Sequence, residues 1–566
     1  MFLKNNLHPI AVGAGASSNA TLNRSKQNDA FLFAGSSETD DFNSFSQTTS
    51  HEEPRRRSSQ GRPASQRKPS GPNKMMIIGI AVAIAVIALI ALIIVVVLTS
   101  DRHIKFTNNA YFAYADENAN YFVNVNGKAI EHEFEGDVKV IPSADRSFAY
   151  IEETTADGIS VYLLKGKNLK LLTMSPVSEI CSYAMLKPGV LYINNDQLSL
   201  YSEKLGDTYI AKGVEAEYCM ISGDASTVVY TKEKKNNAAE TELYIYVDGS
   251  ANNTRFNCKP VAISNYGDYI YAAAETEEST ALYYITTKNQ ESKEVPASAG
   301  FSQVLMLNRK GDEIIFATQS AEKNNSTAIF RLRKEETVVM APTVLSLCTV
   351  DPSIAVYDTF ADTYFTGTIT NEEGQTANPT YQLSKKFECA KISSYSGQFS
   401  NDGDYFYYVN ADQELIQMDL TDSNRQKKSL FVAVTDFTVT QKGNVYVLNE
   451  DEEIRYYKRS TGVKDPISPE ADDISFYPYA NKVYFSTEED AGVIIYSSEE
   501  GSDPEIAKFG KTQISGVPNF TQPYSKKSYV WYYSDDDSAY MLFYTSNGKT
   551  FELISQNCII DGADYN

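Results

Sequence analysis

Short cores of aromatic and β-branched residues recur along the chain at a nearly constant interval, which limits the fold more than any other feature of the sequence. The cores are YFAY at Tyr111, FAYI at Phe148, VLYI at Val190, VVYT at Val228, YIYA at Tyr269, IIFA at Ile314, TYFT at Thr363, YFYY at Tyr405, VYVL at Val445, VYFS at Val483 and YVWYY at Tyr529. Successive starts lie 37, 42, 38, 41, 45, 49, 42, 40, 38 and 46 residues apart. A period of roughly 42 residues is that of a propeller blade, one sheet of four short strands. The repeat 148–189 shows that four fit: FAYIEE, ISVYLLKG, NLKLLT and EICSYAML, separated by turn residues such as TADG. The 39 Tyr and 27 Phe suit pleated sheet, so an all-β exported region is expected.

A small polar turn precedes most cores. It reads SADRS around Asp145, SGDAS around Asp224, SNYGD with Gly267, NRKGD with Gly311, SNDGD with Gly403 and TQKGN with Gly443. Asp and Asn bond backbone two residues on and Gly accepts positive φ, so each pattern predicts a tight reversal between an innermost strand and the next. The pattern Ser-x-Asp-Gly-x-x-aromatic-x-Tyr is followed by an aliphatic-Tyr strand such as LYIYVDG at 243–249 or LYYITT at 282–287. It resembles the TolB-type β-propeller repeat, also seen in the propeller halves of prolyl oligopeptidase relatives. Eleven blades exceed the usual four to eight of one ring, which predicts two propellers in tandem. The longest step contains KEETVVMAPTVLSLCTVDPS, so the regions are expected at 99–345 and 346–566, with one large ring as the alternative.

The run Met75–Leu98 has 24 residues and no charge, Pro or polar side chain, long enough for a helix to cross the roughly 30 Å hydrocarbon layer. Its N-terminal flank carries Arg55, Arg56, Arg57, Arg62, Arg67, Lys68 and Lys74, against Arg102 and Lys105 on the other side. Basic residues stay cytoplasmic, which predicts a single-pass plasma-membrane protein with the tail inside and the propellers outside. Residues 1–74 lack apolar periodicity and are expected to be a disordered tail, whose basic stretch touches anionic lipid and whose Ser58, Ser59, Ser65 and Ser70 are candidate phosphorylation sites. The tail holds 10 basic and 6 acidic residues, a net of +4, and the rest 41 and 67, a net of −26. An exported region so acidic repels nucleic acid.

Chemistry is sparse. The four His are His8, His51, His103 and His132, so 133–566 has no imidazole to activate a nucleophile, and no Gly-x-Ser-x-Gly elbow is present. No Cys-x-x-Cys occurs among six cysteines; Cys181 and Cys219 hold equivalent places in neighbouring repeats, either bridged or as buried thiols. The acidic runs NEDEE at 449–453 and SDDDS at 534–538 lack the spacing of a calcium loop and read as solvated turns. Strand Tyr residues read as packing, while loop Tyr such as Tyr524 are open to stacking on a sugar.

No catalytic residue, metal or cofactor is expected. The arrangement resembles cell-surface propeller proteins of Gram-positive bacteria, and implies a binding module for an extracytoplasmic protein, peptide or envelope glycan. The alternatives are a glycan-acting enzyme using two carboxylates and a signalling receptor with a phosphorylatable tail.

Overall fold

The computed structural model describes residues 107–560 apart from 174–175, 235–236, 278, 320–324, 349–356, 371–375, 491 and 535–538. The expected tail, its basic residues and the apolar run Met75–Leu98 lie outside the described residues. Among the described residues no helix is long and apolar enough to cross a membrane.

Every sequence core lies in a strand except that Phe148 directly precedes its own, and ten of the eleven belong to the second strand of a four-strand set, as in Ala149–Thr155, Thr227–Lys234, Tyr269–Glu275 and Val445–Asn449. The physical reason is burial on both faces. Val190 and Leu191, Val228 and Val229, Ile270 and Tyr271, and Phe406 and Tyr407 are consecutive pairs with 0% exposure, so these strands read as continuous apolar runs rather than alternating ones.

Among the described residues, nine four-stranded antiparallel sheets follow one another, spanning 137–171, 179–212, 220–253, 259–294, 301–341, 345–393, 398–431, 434–468 and 474–506. A seven-stranded sheet joins the strands of 111–129 to those of 519–559. Its seam is the pairing of Ala115 with Ile559 and Asp116 with Cys558. These repeated four-stranded sheets are the blades of a β-propeller fold.

Each sheet packs on the next through its own apolar cluster. Val125 and Ile151 join the strands of 111–129 to the 137–171 sheet. Tyr150 and Tyr192 continue the series, then Leu200 with Tyr230, Ile245 with Ile270, and Tyr284 with Phe316. Beyond these, Met306 packs with Phe365, Cys348 with Phe406, Tyr407 with Val447, Tyr456 with Phe485, and Tyr484 with Val530. The succession returns to its start, where Phe112 and Tyr114 meet Tyr529, Leu542 and Tyr544. Phe112 stacks on Tyr529 with centroids 5.2 Å apart.

The cluster of Met306, Ile315 and Ile329 with Leu345, Phe360, Phe365 and Leu383 crosses the expected boundary between 345 and 346. The long step from Ile314 to Thr363 is followed by an inserted hairpin, Ile369–Thr370 with Thr376–Ala377, lying between the second and third strands of the 345–393 sheet.

Buried tyrosines fasten neighbouring sheets. Tyr271 Oη donates to Gly311 O at 2.7 Å, Tyr446 Oη to Asn481 O at 2.8 Å and Tyr407 Oη to Gly443 O at 3.4 Å. In each case a second strand reaches the turn of the following sheet.

Candidate functional site

The six turn residues singled out in the sequence occupy one place in six sheets, between the first and second strands. In all six the fourth residue donates its N–H to the carbonyl of the first: Arg146 to Ser143, Ala225 to Ser222, Gly267 to Ser264, Gly311 to Asn308, Gly403 to Ser400 and Gly443 to Thr440. That fourth residue is left-handed each time, with φ of 56°, 59°, 69°, 74°, 74° and 72°. Asp145 and Asp224 stand third and tie the loop, accepting from the backbone N–H of Ser147 at 2.9 Å and of Ser226 at 3.1 Å.

Asp402 stands third in the SNDGD turn and accepts from Arg459 Nη2 at 2.6 Å, joining two adjacent sheets. The Arg459 hydrogen bond is the main reason its carboxyl falls to about 2 from the ordinary 3.8. A depressed folded value means the stabilisation is fully present above the unfolded value and disappears as pH falls through the folded one. The stability difference between wild type and Asp402→Asn is therefore expected to be constant above pH ~5 and to shrink progressively as pH falls through ~4 and ~2, read from urea midpoints across that range.

A cavity of about 1780 Å³ opens among the sheets from 301–341 through 519–559. Its wall is built from first strands, notably Leu345–Leu347, Val434–Val439, Ile474–Tyr477 and Asn519–Phe520. Several bonds fix that wall. Gln398 is buried and grips the neighbouring strand at two points: its Nε2 donates to Phe437 O at 3.0 Å and its Oε1 accepts from Val439 N at 2.8 Å. Gln441 Nε2 donates to Tyr524 O at 3.0 Å, Tyr479 N to Pro523 O at 3.1 Å and Tyr477 Oη to Ser525 O at 2.9 Å, which set the 521–527 turn against the wall.

The lining combines rings and carboxylates. Phe437, Phe476, Tyr524, Trp531, Tyr533 and Tyr540 are among the rings, and Trp531 is the one Trp of the chain. Asp436 follows a register shift between Val434 and Asp436, a bulge of the kind that re-aims a side chain, and its Oδ1 accepts from Phe437 N at 2.7 Å. Asp472 and Asp473 are exposed, and their backbones are pinned to Ser486: Asp472 N donates to Ser486 O at 3.1 Å and Asp473 N to Ser486 Oγ at 2.9 Å. Burial, more than the charge of the nearby Asp436, raises the Tyr524 phenol above its usual range, opposed by a hydrogen bond with Thr438, so it remains neutral. No Lys, Arg or His lies among the described lining residues.

Tyr524, left open by the sequence, thus lines the cavity. Asp436, Asp472, Asp473 and Trp531 were not singled out; the signal was an acidic residue inside the first-strand segment AVTDFTV and an acidic pair directly before ISFY. The NEDEE run makes a local turn instead, Asn449 Oδ1 accepting from Asp451 N at 3.1 Å and Glu453 N at 2.7 Å. Residues 535–538 of the SDDDS run lie outside the described residues. Among the described residues no group of three or more His, Cys, Asp and Glu is placed to hold a metal. His132 packs on Phe134 and Tyr162, with centroids 4.6 and 5.1 Å away. Cys181 and Cys219 meet unbridged in one apolar cluster, where the Cys219 thiol, and burial after it, push the Cys181 thiol far above its ordinary range.

No protein-family model matches the chain, and no curated protein matches it. Among solved structures it is similar to a prolyl endopeptidase at 12% identity and a TM-score of 0.28, covering 53% of this chain and 50% of that one. The chain thus spans half the length of that structure. It is also similar to the β-propeller domain of the Trilobed protease from Pyrococcus furiosus, at 11% identity and a TM-score of 0.24, covering 61% and 98% of the two chains. For TolB from Acinetobacter baumannii the values are 12% identity, a TM-score of 0.19 and coverage of 62% and 76%.

Proposed function

We propose that this protein is a membrane-anchored extracytoplasmic binding module, held by the apolar run Met75–Leu98, whose propeller presents a ligand cavity to a protein, peptide or envelope glycan. The observation that carries the reading is the cavity of about 1780 Å³, walled by hydrogen-bonded first strands and lined by rings and carboxylates. A fixed wall lowers the ordering cost of binding, and aromatic rings with a few polar groups are what such sites use. The basic flank of residues 55–74, against Arg102 and Lys105 on the other side, supports placement of the sheets outside the cell.

The proposed architecture is one closed ring rather than two tandem rings. Its support is the unbroken series of inter-sheet clusters, including the one across residues 345 and 346 and the one joining Phe112 to Tyr529.

Intact protein in detergent micelles, incubated with envelope fragments, is expected to retain a fraction of them without releasing product. Steady release of sugars or peptides would overturn the binding reading in favour of the enzyme. Protease added to sealed cells is expected to digest the region beyond residue 98, and protection of that region would remove the topology.

A further inference from the structure

We propose that the end of the propeller bearing the first-to-second strand turns is a lipid-facing surface, whose exposed lysines contact anionic headgroups of the membrane that holds the chain. The inference rests on the membrane-anchored reading and adds which surface meets the bilayer and through which groups.

The chain enters the sheets at this end. Thr107 N donates to Asp145 O at 2.9 Å and Asn109 Nδ2 to Arg146 O at 2.9 Å, both in the turn before Ala149–Thr155. From there backbone bonds run from turn to turn: Ala144 N to Met185 O at 2.9 Å, Leu186 N to Gly223 O at 2.7 Å, Asp224 N to Asn265 O at 2.9 Å, Arg309 N to Tyr357 O at 2.7 Å and Gln441 N to Pro478 O at 3.2 Å. These turns therefore lie on one face. The third-to-fourth strand turns join them, because an antiparallel sheet returns to the same end at every second connection.

The tether is short. Eight residues separate Leu98, the last of the apolar run, from Thr107, and at no more than ~3.6 Å each they reach about 30 Å. An eight-residue strand such as Thr227–Lys234 is itself roughly 26 Å long. A chain attached at the turn end would spend nearly all of its reach running past the sheets before the opposite end could meet lipid.

Charge separates the two ends in the same sense. Among the described residues, the turns of the entry end hold 17 basic and 16 acidic side chains. The connections of the opposite end, second-to-third strand and sheet-to-sheet, hold 3 basic and 19 acidic. An anionic surface repels the opposite end and admits the entry end. Ion pairs such as Lys204 with Asp248 at 2.7 Å and Arg459 with Asp402 at 2.6 Å join neighbouring sheets there. Lys167, Lys187, Lys288, Lys386 and Lys526 are exposed on the entry end and stand outside those pairs, which suits them to headgroup phosphates.

The test is acetylation of lysines in the intact protein by a small amine-reactive reagent, read residue by residue by mass spectrometry. The protein is held in neutral detergent, in nanodiscs of phosphatidylcholine alone, and in nanodiscs that also contain phosphatidylglycerol. Lys508 and Lys511, exposed on a connection of the opposite end, are the internal reference. Acetylation of Lys167, Lys187, Lys288, Lys386 and Lys526 is expected to fall about threefold or more in the anionic discs relative to the neutral ones, and to recover when salt rises to ~300 mM. The two reference lysines are expected to react equally in every setting.

Equal labelling of the five lysines in all three settings, or equal protection in both kinds of disc, overturns the headgroup contact. Protection of Lys508 and Lys511 alone overturns the assignment of the face. Protein that stays out of the discs removes the membrane-anchored reading and this inference with it, whereas incorporation without protection removes only the inference.

Discussion

Tyr150→Phe is expected to lower the stability of the sheets by roughly 1–3 kcal/mol, and Tyr150→Ala by roughly 3–5 kcal/mol, measured as urea midpoints of the intact protein. Tyr150 is fully buried, and its hydroxyl both donates to and accepts from the following sheet. It donates to Ala184 O at 2.7 Å or Gly189 O at 2.9 Å, and accepts from Gly189 N at 2.8 Å. Phenylalanine keeps the ring contacts and leaves the Gly189 N–H without that acceptor, so its cost isolates the polar part. Alanine also opens a cavity beside Phe148, whose ring meets Tyr150 edge-on at 5.4 Å. A Tyr150→Phe variant with unchanged midpoints would show that these inter-sheet bonds add nothing beyond packing.

Gly311→Ala is expected to destabilise by roughly 2–5 kcal/mol, and Gly403→Ala by only about 1–2 kcal/mol, although both stand at the same turn position. Both have φ of +74°, so each pays the left-handed penalty of an L residue. What differs is space. A Cβ on Gly311 would lie 2.3 Å from Ser264 Cβ and 3.2 Å from Ser264 Cα, whereas one on Gly403 would meet nothing within 4 Å. The Ser264 backbone belongs to the preceding turn, so relief requires two sheets to part, and the Gly311 carbonyl that receives Tyr271 moves with it. Equal costs at the two positions, from paired denaturation curves, would place the whole penalty in the backbone and none in the contact.

The strand cores and turns were legible in the sequence because nearby residues decide them. SNDGD at 400–404 contains the left-handed residue, the carboxylate that ties the loop and the apolar run that follows, all within reach of one another. The cavity was not legible for the opposite reason. Its wall draws on very short first strands, such as Gln398–Phe399 and Asn519–Phe520, where two residues show no period. That Asp436 and Tyr524 approach one another, 88 positions apart in the chain, follows from how sheets stack and from no local pattern. The packing around the long interval is equally non-local: one apolar cluster there joins residues from Met306 to Phe387. Cys181 and Cys219 are the counter-example, since equal places in consecutive repeats sufficed to bring their side chains into one cluster.

The seam between Tyr111–Asp116 and Phe551–Ile559 sets an order of events during synthesis. Every other sheet consists of strands close in sequence and can mature as the ribosome delivers it. Tyr111–Asp116 instead waits more than four hundred residues for its partner, presenting an open strand edge throughout. Loop-closure entropy rises only logarithmically with that separation, so the delay comes less from lost entropy than from waiting for the last strand. Until it arrives, that edge is the place where a nascent chain is most exposed to pairing with a wrong neighbour or to capture by a chaperone.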